Sequence, residues 1–185
     1  MSVATVWGAR PDEVERRYAC DDLATDQPLR LVRAVDVAAP VPTAFAWLGQ
    51  LRVAPYSYDL LDNGGRRSPR TRTVRPQELV AGTTMMRIFE LVCVEADEHL
   101  TLRIVEPRAL RAFGPVVMTY AVRPDGPGRS RYVAVLRVGS PTGGRADAVR
   151  RELLAWGDLV MMRKQLRTLA ALAGREALSG ARAPR

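Results

Sequence analysis

The stretch LRLVRAVDVAAPVPTAFAWLGQL, Leu29 to Leu51, decides the fold. Its first nine residues alternate. Leu31, Arg33, Val35 and Val37 share one face, and Val32, Ala34 and Asp36 share the other, which is the period of a strand. Two prolines, Pro40 and Pro42, then precede a short apolar run that holds Phe45, Trp47 and Leu48, and Pro55 follows it. Proline near a helix start and again beyond its end marks a short helix. A strand that feeds such a helix directly needs a sheet for the helix to cover.

The rest of the chain supplies that sheet. RPDEVERRY (10–18) reads as a short helix, and ACDDLATDQP (19–28) as a polar loop. SYDLLD (57–62) suits a second short helix after the first strand, ended by NGG. From Thr71 the period changes. TRTVRP (71–76) is a short strand candidate, and TTMMRIFELVCVEAD (83–97) reads as one long strand. HLTLRIV (99–105) follows as its hairpin partner. PVVMTYAVRPDG and RSRYVAVLRVGS form a second hairpin across a Pro/Gly turn. After the loop SPTGGRADAV comes one long helix, in which Trp156, Leu159, Met162, Leu166, Leu169 and Ala173 keep helical spacing. Leu154, Asp158, Met161 and Gln165 form a neighbouring stripe. The expected class is α+β: a curved antiparallel sheet of about six to seven strands, wrapped around the long C-terminal helix. Such a sheet seldom closes, and the gap between sheet and helices is a natural cavity. The expected organisation is an N-terminal extension with a short helix (1–27), a ligand-binding domain (28–175) and a disordered tail (176–185).

Composition narrows the function. The chain has 185 residues and a net charge of +8, carried by arginine, with Lys164 the single lysine. Solubility, nucleic acid, an anionic surface and an acidic ligand are all compatible with that charge. Two cysteines, Cys20 and Cys93, do not make a disulfide framework; Cys93 reads as a small buried hydrophobe. MSVATVWGARPDEVERR lacks the order of a signal peptide, and no apolar run reaches the length of a membrane span. The expectation is a soluble cytoplasmic protein.

Several segments resemble a known family. VDVAAPVPTAFAWL is similar to the opening of the helix-grip superfamily, which groups StAR-related lipid-transfer domains, pollen-allergen-like proteins, polyketide cyclases and SRPBCC proteins. WLGQLRVAPYSYDLLDNGGRRSP resembles an actinobacterial SRPBCC subgroup with a WLxQ…YSYDxLDNxGRRS segment. LLAWGDLVMMRKQLRTLAALA is similar to the closing helix of that group. The resemblance spans residues 28 to 175. It implies the helix-grip fold and a ligand cavity. It names no single activity, since the superfamily holds carriers, cyclases, toxins and proteins of unknown role.

The residues exclude much chemistry. His99 is the single histidine, placed beside Asp97 and Glu98 and read as an exposed turn residue. A Ser-His-Asp or Cys-His arrangement would have to use it. No zinc ligand set, phosphate loop or dinucleotide fingerprint is present, so neither metal nor cofactor is expected. PYSYDLLDNGGRRSPR (55–70) falls at the expected cavity rim. Tyr56, Tyr58, Asp59 and Asn63 offer rings and polar tips for a ligand, or else brace a short helix and make its turn. Met118 and Tyr120 share parity with Val116 and Val122 and are placed inward. Either Arg87 or Glu90 points inward, since their odd spacing separates them. Met85, Met86, Met161 and Met162 suit a flexible apolar ligand or plain core packing. Arg66, Arg67, Arg70, Arg72 and Arg75 form the densest basic run; we read it as a solvated rim ahead of a phosphate site, since no aromatics interleave it.

Three functions follow from these residues. The first is binding of a hydrophobic small molecule, polyketide-, lipid- or aromatic-like, with Tyr56, Tyr58, Asn63, Met118, Tyr120, Trp156 and Met161 as contacts. The second is a cofactor-independent cyclase or aromatase that folds its substrate, with Tyr58, Asp59 and Tyr120 moving protons. The third is a basic module for RNA or the ribosome; the apparent cavity favours the first two, and nucleic acid is not an expected partner.

Overall fold

The computed structural model describes residues 2–24, 28–58, 64–139 and 145–182. Seven strands form one open mixed sheet: β1 (Val6–Trp7), β2 (Leu29–Val37), β3 (Thr84–Met85), β4 (Phe89–Glu95), β5 (His99–Ile104), β6 (Val116–Pro124) and β7 (Ser130–Val138). Their spatial order is β1-β2-β7-β6-β5-β4-β3. β2 pairs with β7 from Leu29 opposite Val138 to Val37 opposite Ser130. The β6–β7 hairpin closes through Gly126 and Gly128, both with positive φ.

Among the described residues four short helices accompany the sheet: α1 (Pro11–Glu15), α2 (Ala19–Leu23), α3 (Val41–Leu48) and α4 (Pro107–Phe113). Two 3-10 turns, Gly49–Arg52 and Pro76–Glu78, link them to the sheet. The long helix α5 (Arg145–Arg182) lies along the concave face. Its Ala155, Met162, Leu166, Leu169 and Ala173 join Leu31, Val37, Tyr132 and Leu136 in the main core. Trp47 donates from Nε1 to Glu176 at 3.0 Å, which fixes α3 against α5. A smaller core covers the convex face, where Tyr18 and Cys20 pack on Val32, Val117, Val133 and Val135.

Several expectations are corrected. Residues 19–23 form α2 rather than a loop. The Asp21 carboxylate accepts from the Tyr18 amide at 3.0 Å, and Cys20 packs into the convex core, so a polar-looking run gains both a cap and a buried face. TRTVRP contains no strand; its last residue, Pro76, opens the second 3-10 turn. The single long strand over 83–97 breaks at Met86 and Arg87, whose φ angles are 45° and 69°, and folds back as β3 and β4. The Met86 amide donates to Leu51 O at 2.9 Å, so a tertiary contact holds this turn. β1 was not foreseen. It pairs parallel with β2, which makes the sheet mixed and draws the N-terminal segment into it. α4 was also missed. It starts at Pro107 and is capped by Glu106, which accepts from the Ala109 amide at 2.7 Å. The tail expected to be disordered from 176 is helical as far as Arg182.

Trp156 is corrected too. It is 49% exposed, and its Nε1 donates to Glu152 on its own helix at 2.9 Å. Ala155 takes the inward position instead, and one residue turns a helix by about 100°. His99 opens β5, half-buried, with Nε2 3.3 Å from the half-buried Cys93 Sγ. Neither an exposed turn histidine nor a fully buried cysteine is observed. The second short helix expected at 57–62 falls mostly outside the described residues, as do Asp59 and Asn63.

Candidate functional site

The sheet, α4 and α5 enclose a cavity of about 820 Å³. Strand alternation supplies one wall: Val116, Met118 and Tyr120 from β6, with Leu136 and Val138 from β7. The opposite wall is the neighbouring stripe of α5, where Leu154, Asp158, Met161 and Gln165 recur at helical spacing. The β3–β4 turn and α4 close the ends through Met86 and Phe113. The lining is mainly apolar, as expected of a site that takes an apolar molecule.

Backbone strain gathers here. Among the described non-glycine residues, positive φ occurs at Tyr56, Met86, Arg87 and Asp97. Met86 and Arg87 line the cavity, and Tyr56 lies between Pro55 and Ser57, which also line it. Such conformations cost about 1–3 kcal/mol each and persist where surrounding structure enforces them.

A short polar chain crosses the apolar wall. Tyr120 donates its hydroxyl to Gln165 Oε1 at 2.6 Å. Gln165 in turn donates from Nε2 to Pro55 O at 2.6 Å. The Tyr120 oxygen keeps lone pairs for a ligand donor. Burial, and then the nearby Asp158 charge, push the Tyr120 phenol far above its ordinary range. It is therefore suited to hydrogen bonding rather than to deprotonation.

Asp158 is the group that the sequence reading placed in the right stripe but did not name as a site. Its side chain is 17% exposed and lines the cavity. Its partner is Arg33, wholly buried on β2, with Nη2 3.1 Å from Asp158 Oδ2. The contact is close but poorly aligned, and that oxygen has no hydrogen bond of good geometry. Arg33 directs its donors to main-chain oxygens: Ala4 O at 2.7 Å, Thr5 O at 3.0 Å and Ala155 O at 3.2 Å. Burial pushes the Asp158 carboxyl up to about 6, although Arg33 opposes the shift. Burial also lowers the Arg33 guanidinium. A carboxyl poised near neutrality in an apolar cavity can anchor a polar ligand atom or exchange a proton. The signal was legible as an aspartate inside an apolar helical stripe; its partner, one hundred and more residues away, was not.

The other sequence candidates divide. Met118, Tyr120 and Met161 line this cavity. Tyr56 and Tyr58 do not. Tyr56 is buried with its ring edge-on to Trp47, 6.4 Å between centroids, and Tyr58 is 40% exposed. Both tyrosines face a second pocket between residues 56–58, residues 67–70 and α5. Pro55 and Ser57 make the rim of the first. Arg87 reaches the cavity, whereas Glu90 faces away and pairs with Arg103 at 3.1 Å. Among the described residues no cluster of three or more His, Cys, Asp or Glu could hold a metal ion.

Solved structures show what this architecture resembles. A protein from Thermobifida fusca superposes with a TM-score of 0.55 at 18% identity, covering 79% of this chain and 93% of its own. The Zhui aromatase/cyclase from Streptomyces sp. R1128 gives 0.51 at 15% identity, over 80% of this chain and 94% of the other. The di-domain ARO/CYC StfQ of the steffimycin biosynthetic pathway gives 0.51 at 15% identity, over 84% of this chain and 54% of that longer one. The chain shares the helix-grip fold of these proteins. No family model and no curated protein matches the sequence. At these identities the likeness concerns the helix-grip fold alone. Among the described residues no helix is long and apolar enough to cross a membrane.

Proposed function

We propose that this helix-grip protein binds a hydrophobic small molecule, polyketide-, lipid- or aromatic-like, with one polar atom of the ligand held by Asp158 and Tyr120. The observation that carries this reading is an incompletely satisfied carboxyl, Asp158, facing a mainly apolar cavity whose other charged lining residues are Arg87, Glu106 and Arg108. A protein that needed only stability would fill this space and remove the buried charge. The methionines Met86, Met118, Met161 and Met162 give a lining that adapts to a flexible ligand.

The same geometry supports a second reading, a cofactor-independent cyclase or dehydratase. Asp158 would accept or return the proton, the Tyr120 oxygen, whose own proton goes to Gln165, would accept from a substrate hydroxyl, and the cavity would fold the substrate. The two solved aromatase/cyclases share the fold and lend this reading support at that level.

Mass spectrometry of small molecules extracted from the purified protein tests the reading first. Titration with an apolar fluorescent probe tests the site. Gly157 lines the cavity, and a Cβ built there meets no atom within 4 Å. Gly157→Phe should therefore plug the cavity and abolish saturable probe binding without unfolding the protein. Unchanged binding in a folded Gly157→Phe variant rejects this cavity as the site.

A further inference from the structure

The arginine run and the tyrosine segment remain unexplained by the apolar cavity, and the structure brings them together. Between residues 56–58 and 67–70 on one side and the outer side of α5 on the other lies a second pocket of about 870 Å³. Its described lining includes Arg67 and Arg70 from the segment, with Arg163, Lys164, Arg167 and Arg175 from α5. No carboxylate occurs among the described lining residues. We propose that this pocket is a binding site for a diphosphate, free or as the end group of a larger molecule.

The run after the Gly-Gly turn is split by its partners. Arg72 forms a two-pronged pair with Glu176 at 2.6 and 2.9 Å, and Arg75 pairs with Glu78 at 2.9 Å. Those arginines perform structural work at the surface. Among the described residues, none of the six lining cations has an ion-pair partner. Glu176 follows Arg175 directly, yet it turns away to Arg72 and to Trp47. Arg163 and Arg167 stand one helical turn apart, where like charges repel. Both guanidinium groups lie over the ring of Trp7, at 5.5 and 5.3 Å from its centroid, which holds them side by side.

Among the described residues this is a concave surface whose charged groups are all cations, with two of its arginines braced. Guanidinium forks match phosphate oxygens in pairs, and a diphosphate brings enough negative charge to answer several of them. The pocket has room for a diphosphate and for part of a molecule that carries it. Tyr58, which is 40% exposed, adds a neutral hydroxyl donor to the lining. Ser57 belongs to both walls, so the two cavities are neighbours.

The test is titration of the full chain with inorganic pyrophosphate near physiological salt, followed by tryptophan fluorescence and by heat. Saturable one-to-one binding is expected, with a fluorescence change that disappears in Trp7→Phe while the heat remains. Arg167→Gln/Arg175→Gln should weaken binding at least tenfold. Arg111→Gln/Arg123→Gln, which removes the same charge elsewhere, should change it little. Sulfate at matched ionic strength should not compete. Sedimentation with phosphatidylcholine vesicles that carry a long-chain prenyl diphosphate, competed by pyrophosphate, would place the diphosphate on a lipid; no sedimentation would place it on a soluble molecule. Failure to saturate, equal losses in both double variants, or RNA retention with no response to pyrophosphate would overturn the proposal. The apolar probe reads the other cavity, so each hypothesis can fail alone.

Discussion

Two buried arginines sit on opposite faces of the same antiparallel strand pair, and they are satisfied to different degrees. Arg131, on the convex face of β7, donates to both Glu13 oxygens at 2.6 and 2.9 Å, to Gly8 O at 2.9 Å and to Asp36. These partners raise its guanidinium pKa, the bond to Glu13 first. Arg33, on the concave face of β2, leaves its Nε unpaired and meets Asp158 off-line. The convex pair closes a small core around α1 and α2. The concave pair borders a cavity. The pair Arg131–Glu13 is satisfied and the pair Arg33–Asp158 is not, which separates a contact that holds the fold from one that borders the proposed site.

The largest expected effect breaks the satisfied side. Arg131→Met strands Glu13, which is 3% exposed, and should cost about 3–5 kcal/mol in urea unfolding. Probe affinity of the folded fraction should not change. If affinity falls with stability, the two faces are not separable as argued.

The next concerns pH. Asp158 has a folded pKa of about 6, above its ordinary value of 3.8. A group raised in this way favours the fold while it is protonated. Its contribution is therefore fully present below about pH 4 and is lost as pH rises through about 6, an effect on the order of 2–3 kcal/mol. Asp158→Asn should flatten stability against pH over that window. Denaturant midpoints at several pH values measure it, and an unchanged profile in the variant would refute the assignment.

Smaller effects sharpen the site. Tyr120→Phe removes the bond to Gln165 and leaves its Oε1 buried, for about 1–3 kcal/mol of stability. Tyr58→Phe should stay within about 0.5 kcal/mol of wild type, since Tyr58 is 40% exposed. Calorimetric melts of both variants distinguish a buried anchor from a rim residue. Gly157→Ala should add about 0.5–1 kcal/mol, because glycine within a helix is costly and its Cβ has open space. A loss of stability there would mean that the cavity wall is tighter than it stands.

The sequence alone determined the elements whose signals are local. Alternation in LRLVRAVDV, the prolines before Phe45 and the long stripe of α5 each place an element without reference to the rest of the chain. So did the parity that turned Met118 and Tyr120 inward. Tertiary structure decided the remainder. The break at Met86 and Arg87 depends on a bond to Leu51, and β1 exists because β2 offers it an edge. Asp158 gains its character from Arg33, which lies far away in the chain, and from a desolvation that no single stretch encodes. Tyr56 and Ser57 are adjacent residues, yet Tyr56 faces only the basic pocket while Ser57 reaches both. Which way a side chain points across a strained loop is set by what packs on either side, and local spacing carries no record of that.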